Sequence, residues 1–206
     1  KAASLQIIIN GRFLTQQVSG VQAFARSICR ELSEVIQLKI VVPQGEELVD
    51  EEFSDSIIRF GIFKGHLWEQ FDLPSFIKKN PTAILLNLCN TGPLNVRKQI
   101  VTIHDLAFLH HPEWFRWVFS TYYNFLIPKI CRNSKAVFTV SETIKSELIE
   151  YLGISEQKIA VIANKVSDPF LDAVSIAPAN FPYKKDDFFL MVGTNDPRKN
   201  FNHVLQ

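Results

Sequence analysis

The chain of 206 residues has three cysteines, one methionine and a formal net charge of only +1, and each shortage removes a class of function. Cys29, Cys89 and Cys131 stand far apart among apolar or helix-forming neighbours. They lack the close spacing of thiolate metal sites and read as reduced, buried thiols of a cytoplasmic protein. A charge balance this even offers no global field to a polyanion, so no nucleic-acid partner is expected and any anion contact is local. No apolar run reaches the roughly 18 to 20 residues of a membrane span, and no basic-then-apolar leader precedes the first strand, so a soluble protein is expected. The dinucleotide pattern G-x-G-x-x-G is missing as well, because Gly11 and Gly20 are too widely separated, which disfavours a nicotinamide or flavin enzyme.

What is present is ordinary globular material, 47% hydrophobic and 21% charged, enough for one sizeable core. Short runs rich in β-branched residues alternate with longer helix-like stretches. The runs predict strands at Leu5–Ile9, Leu38–Val42, Ser56–Phe60, Ala83–Leu88, Gln99–Ile103, Ala136–Val140 and Lys158–Ile162. Helices are predicted from Ser19 as cap to about Val35, and over Leu67–Lys78, Pro112–Arg132 and Glu142–Leu152, the last opening after Ser141 and closing at Gly153. The fold class that follows is α/β, a doubly wound Rossmann-like parallel sheet with helices on both faces. The aromatic segment from Trp114 to Phe125 is expected to pack mainly on the sheet. Any part of it left exposed would allow amphipathic contact with a bilayer.

After Ile162 the texture changes to a proline-bearing, weakly periodic stretch. Residues 1–165 therefore read as one domain, 166–186 as an interdomain connection and 187–206 as the start of a second Rossmann-like domain, incomplete in these 206 residues.

Three groups of residues carry chemistry. The loop from Asn10-Gly11-Arg12 to Ser19-Gly20-Val21 leads from the first strand into the first helix, where helix amides can meet a phosphate or a sugar hydroxyl. A tight turn explains Gly20 about as well. The strand Val101-Thr102-Ile103 runs into His104 and Asp105. A strand end holds such groups rigidly at a crevice, where His104 can donate a hydrogen bond and Asp105 can orient it or cap the next segment. Arg198, Lys199 and Asn200, after Pro197, offer two cations beside free helix amides, an anion site suited to a diphosphate. His110 and His111 are adjacent with no third ligand near, and are assigned no metal. His66 and His203 have no partner at useful spacing and read as surface residues.

Taken in order, these pieces resemble the family 4 retaining glycosyltransferases of the GT-B fold. The similar stretches are Ser-Gly-Val-Gln-Ala-Phe-Ala at 19–25, Ile-His-Asp-Leu at 103–106 and Val-Phe-Thr-Val-Ser-Glu-Thr-Ile-Lys-Ser-Glu-Leu at 137–148. They continue with Leu-Gly-Ile-Ser-Glu-Gln-Lys-Ile-Ala-Val-Ile-Ala-Asn at 152–164 and Val-Gly-Thr-Asn-Asp-Pro-Arg-Lys-Asn-Phe at 192–201. The resemblance implies transfer of a sugar, with retention, from a nucleotide-diphosphate donor to a glycan or lipid-linked acceptor, in a cleft between two domains and without a metal or other cofactor. It implies that Gly20 and its neighbour Val21 approach donor phosphates or acceptor, that His104 contacts the transferred sugar, and that Arg198 and Lys199 stabilise the leaving diphosphate. It also implies a cytoplasmic location and leaves room for peripheral contact with the inner membrane surface. Its Arg-Lys-Asn form points by analogy to surface-polysaccharide synthesis and mannose-type donors. Lys165 stands where relatives carry glycine, and Thr194 where some branches carry arginine. The family's paired-glutamate motif would lie beyond these residues, so the 206-residue chain alone is expected to be inactive. A GT-B-like sugar-nucleotide epimerase and a non-catalytic acceptor-binding or interaction module are the alternatives.

Overall fold

The computed structural model describes residues 6–165 together with residue 188, residues 191–193 and residues 200–204. Seven strands form one sheet: β1 (Ile7–Asn10), β2 (Ile40–Pro43), β3 (Ile57–Phe60), β4 (Ile84–Asn87), β5 (Gln99–Ile103), β6 (Ala136–Thr139) and β7 (Ile159–Val161). Their order is β3-β2-β1-β4-β5-β6-β7 and every pairing is parallel. All seven expected strands are present, and the winding reverses between β1 and β4, as a doubly wound sheet requires.

Register fixes which side chains share a face. Ile8 pairs with Leu85, Asn10 with Val41 and Asn87 with Val101, so these residues lie on one face. Two helical groups cover it. One is a continuous run of α2 (Gly65–Leu67), a π-helical turn (Trp68–Asp72) and α3 (Leu73–Lys78), which packs Trp68, Leu73 and Ile77 on Ile8, Val41 and Leu85. After the short α4 (Ala107–His110), α5 (Trp117–Asn133) and α6 (Glu142–Leu152) form the other, packing Leu126, Ile127, Ile130 and Leu148 on Val101, Ile103, Val137 and Ile159. The opposite face carries Ile9, Ile40, Val42 and Leu86 and is covered by α1 (Gly20–Ser33) through Phe24, Ala25 and Cys29. Burying these groups supplies the main force for folding.

The helix ends follow local chemistry. Ser141 accepts the Ile144 N–H at 3.3 Å to open α6, and Gly153, in the left-handed region at φ 63°, closes it as the sequence indicates. Ser19 opens α1. The aromatic segment departs from its expected role. Tyr122, Tyr123 and Phe115 do pack against the core, yet Trp114, Trp117, Phe119 and Phe125 are exposed, Trp117 by 77%. The reason lies in α5, whose buried stripe of Leu126, Ile127, Ile130 and Cys131 belongs to its second half.

Candidate functional site

The reversal of winding opens a crevice where β1 and β4 end, and the chain fills its floor with polar side chains. β1 ends in Asn10 and turns through a 3-10 helix at Gly11–Thr15. Gly11 is required there, because a Cβ would stand 2.5 Å from Ile40 Cγ2 and 2.8 Å from the Val41 carbonyl. Asn10 Nδ2 donates to Glu69 Oε1 at 2.8 Å and to Asn87 Oδ1 at 3.0 Å. Asn87 Nδ2 donates to Gln99 Oε1 at 2.9 Å, and Gln99 Nε2 to the Pro93 carbonyl at 2.8 Å. Arg12 closes the network: it donates to Thr91 Oγ1 at 3.0 Å, Thr91 donates to Glu69 Oε1 at 3.0 Å, and Arg12 Nε lies 3.5 Å from the same oxygen.

Glu69 is only 1% exposed, yet its surroundings favour the charged carboxylate. Burial alone would raise its carboxyl, but Arg12, His66 and Asn10 together more than offset this and hold it below the ordinary glutamate range. Its second oxygen, Oε2, has no hydrogen-bond partner and lies 3.4 Å from His66 Nδ1. His66 is thus no partnerless surface residue. Its position on the turn before Glu69 brings it to the carboxylate, a contact at i and i+3 on one helical face. Glu69 escapes a reading by motif, although its spacing of four from the buried Leu73 marks it as an acid on an apolar face.

His104 is gripped by the loop that follows β4. Its backbone N–H donates to Asn90 Oδ1 at 2.7 Å, and its ring Nε2 lies 2.8 Å from the Leu88 carbonyl. A carbonyl only accepts, so Nε2 carries the proton, and the neutral ring offers Nδ1 as an acceptor. Burial pushes the His104 pKa down, outweighing the Leu88 carbonyl and the Asp105 charge. The ring therefore donates through Nε2 to the protein itself, and the nitrogen left over, Nδ1, is an acceptor. Asn90 sits in the left-handed region at φ 52°, a backbone state that asparagine tolerates. Asp105 Oδ1 accepts the Ala107 N–H at 3.1 Å, a local turn just ahead of α4, whose own cap residue is Leu106.

Gly20 is the first residue of α1 and borders a cavity of about 490 Å³ with Phe24, Ser27, Asn164 and Lys165. A Cβ there would meet nothing within 4 Å, so packing does not demand glycine at this position. Val21 receives Cys89 Sγ on its carbonyl at 3.8 Å, which ties the start of α1 to the loop after β4. Lys165 reaches back across the cavity to Glu31 at 2.8 Å. Arg198 and Lys199 lie outside the described residues, as does the 166–186 connection, while Asn200 is described, with φ of 47°. Among the described residues no group of three acids, histidines or cysteines is placed to hold a metal ion, and His110 and His111 pair instead with Glu147 at 3.3 Å and Glu113 at 3.0 Å.

Residues 18–168 match the model of Glycosyltransferase Family 4, a span that takes in the first helix, the strands from β2 to β7 and the loop that carries His104, and begins after β1. The chain belongs to that family. It is also 30% identical over 132 residues to the O-antigen chain mannosyltransferase RfbU of Salmonella typhimurium, an alignment covering 63% of this chain and 34% of the relative. The chain thus spans about a third of the length of the relative it matches. For this family 4 chain, the doubly wound sheet expected from the sequence is the fold observed.

Proposed function

We propose that the chain is the acceptor-side part of a retaining glycosyltransferase that moves a sugar from a nucleotide-diphosphate donor to a glycan or lipid-linked acceptor in surface-polysaccharide synthesis. The observation that carries this is family 4 membership of the segment that bears His104, which Asn90 and Leu88 hold at the end of β5. The name of the Salmonella relative favours a mannosyl donor. Gly20 and Val21 bring the amides of the first turn of α1 towards donor phosphate or acceptor. His104 Nδ1 receives a hydroxyl of the transferred sugar, and Asp105 shapes the turn that presents it. Arg198 and Lys199, with Asn200 beside them, meet the charge that grows on the leaving diphosphate, where fixed cations act most strongly.

Among the described residues no helix is long and apolar enough to cross a membrane. Contact with a lipid-linked acceptor at the cytoplasmic membrane surface falls to the exposed Trp117, Val118 and Phe125 of α5, flanked by Arg116 and by Lys129, whose Nζ stands 3.4 Å from the Phe125 ring centre.

The test is product analysis of the full-length protein with labelled UDP-, GDP- and ADP-sugars. Transfer of label to an acceptor glycoside, greatest with GDP-mannose, supports the proposal. An isomerised nucleotide sugar, or donors left intact by a folded protein, would overturn it.

A further inference from the structure

Beside the crevice, the ring of His66 borders a second cavity of about 490 Å³ with Arg116, Val118, Phe119 and Tyr122. Behind the His66 ring, two buried polar atoms face each other outside ordinary hydrogen-bond geometry, His66 Nδ1 and Glu69 Oε2, 3.4 Å apart. Such groups are costly unless something satisfies them. Glu69 is fixed by Asn10 and Thr91 on its other oxygen, so it presents Oε2 from a rigid base. The His66 ring is held edge-on by Tyr122, with centroids 5.1 Å apart, and by Tyr123 at 6.3 Å. Because a carboxylate only accepts, a proton on Nδ1 turns the 3.4 Å approach of His66 to Oε2 into a hydrogen bond. The side chain is 38% exposed while Nδ1 is shut away, which leaves Nε2 as the nitrogen available to a ligand.

From this we infer that His66, oriented by the buried Glu69, is an acceptor-binding residue whose Nε2 lone pair receives a hydroxyl of a neutral pyranosyl unit. It rests on the glycosyltransferase reading for its biological sense, although the binding chemistry stands on the geometry. A lone pair on Nε2 repels a phosphate oxygen and welcomes an O–H donor, so this nitrogen, unlike Arg116 on the same lining, takes a sugar hydroxyl rather than a phosphate oxygen. Phe119 and Tyr122 supply apolar ring surface for the C–H face of such a sugar, and the cavity volume falls in the ordinary range for small ligands. Glu69 acts here as a positioning residue, through His66.

Two measurements on the full-length protein test this. In long-range proton–nitrogen NMR spectra, His66 should be protonated at Nδ1, and titration with methyl α-D-mannopyranoside should shift its Nε2 resonance. Glu69→Gln should weaken the preference for Nδ1 protonation, whereas Glu69→Asp should restore part of it. A proton on Nε2 in the neutral ring, or no response to the glycoside, would overturn the inference. In transfer assays with GDP-mannose and an octyl mannoside, His66→Ala should raise the acceptor KM about tenfold, the worth of one hydrogen bond, with the donor KM little changed. An unchanged acceptor KM, or equal rises for donor and acceptor, would also overturn it. A glycoside-induced shift in a wild-type protein that transfers no sugar would support the subsite while sinking the proposed function.

Discussion

Asn10 Nδ2 lies 2.8 Å from Glu69 Oε1 and joins the end of the first strand to a helical turn 59 residues later. Around this bond lies a connected set of polar partners, Asn10, Arg12, Glu69, Asn87, Thr91 and Gln99, inside an otherwise apolar face. Partial satisfaction makes such a network costly, so its members should behave as a unit.

Removing Glu69 should be among the most damaging single changes in the chain. Glu69→Leu strands Arg12, whose side chain is only 11% exposed, and should cost about 3–5 kcal/mol in urea unfolding. The pH dependence follows from the sign of the shift. A carboxyl held below its unfolded pKa contributes stability above the unfolded value, and that contribution is lost as pH falls through the folded one. The urea midpoint of the wild type should therefore fall on acidification, and Glu69→Gln should flatten that fall. Parallel profiles for the two proteins would show that the Glu69 charge contributes nothing.

Gly20→Ala separates backbone approach from packing. Open space surrounds the missing Cβ, so the melting temperature should hold or rise slightly. Transfer should nevertheless drop, because the methyl group stands between ligand and helix amides. Full activity in a stable variant would remove Gly20 from the ligand's path.

The thiols should be inert in the folded protein. Burial pushes Cys29 and Cys131 up to about 12 and Cys89 higher still. A thiol reagent at neutral pH should therefore modify none of the three until denaturant is added. Rapid reaction of Cys89 in native buffer would contradict the packing of the loop against α1.

How much of this was legible in the sequence depends on the distance over which each feature is decided. The strands were, because β-branched runs such as Ile100-Val101-Thr102-Ile103 declare themselves locally, and so was α6, bounded by Ser141 and Gly153. His104 and Asp105 were placed at a strand end by adjacency alone. The network was not, because nothing near Glu69 in the chain announces Asn10 or Thr91 as its partners. His66 looked solitary for a similar reason, since a pairing of i with i+3 has meaning only once the helix phase is known. The exposed half of α5 was misjudged because composition reports that a segment is aromatic, whereas the packing of Leu126 and Ile130 decides which side faces inward.

Lys199→Ala in the full-length protein should lower kcat by about 10²–10³, as the loss of one transition-state donor does. His104→Ala should lower kcat/KM about tenfold, the worth of a single neutral hydrogen bond. Unchanged rates would return either residue to a passive role.

The anomeric configuration of the first product made from GDP-α-mannose, read by proton and carbon NMR before any secondary reaction, bears on the central claim most directly. An α-linked mannoside is expected. A β-linked mannoside, or a nucleotide sugar altered without transfer, would contradict it.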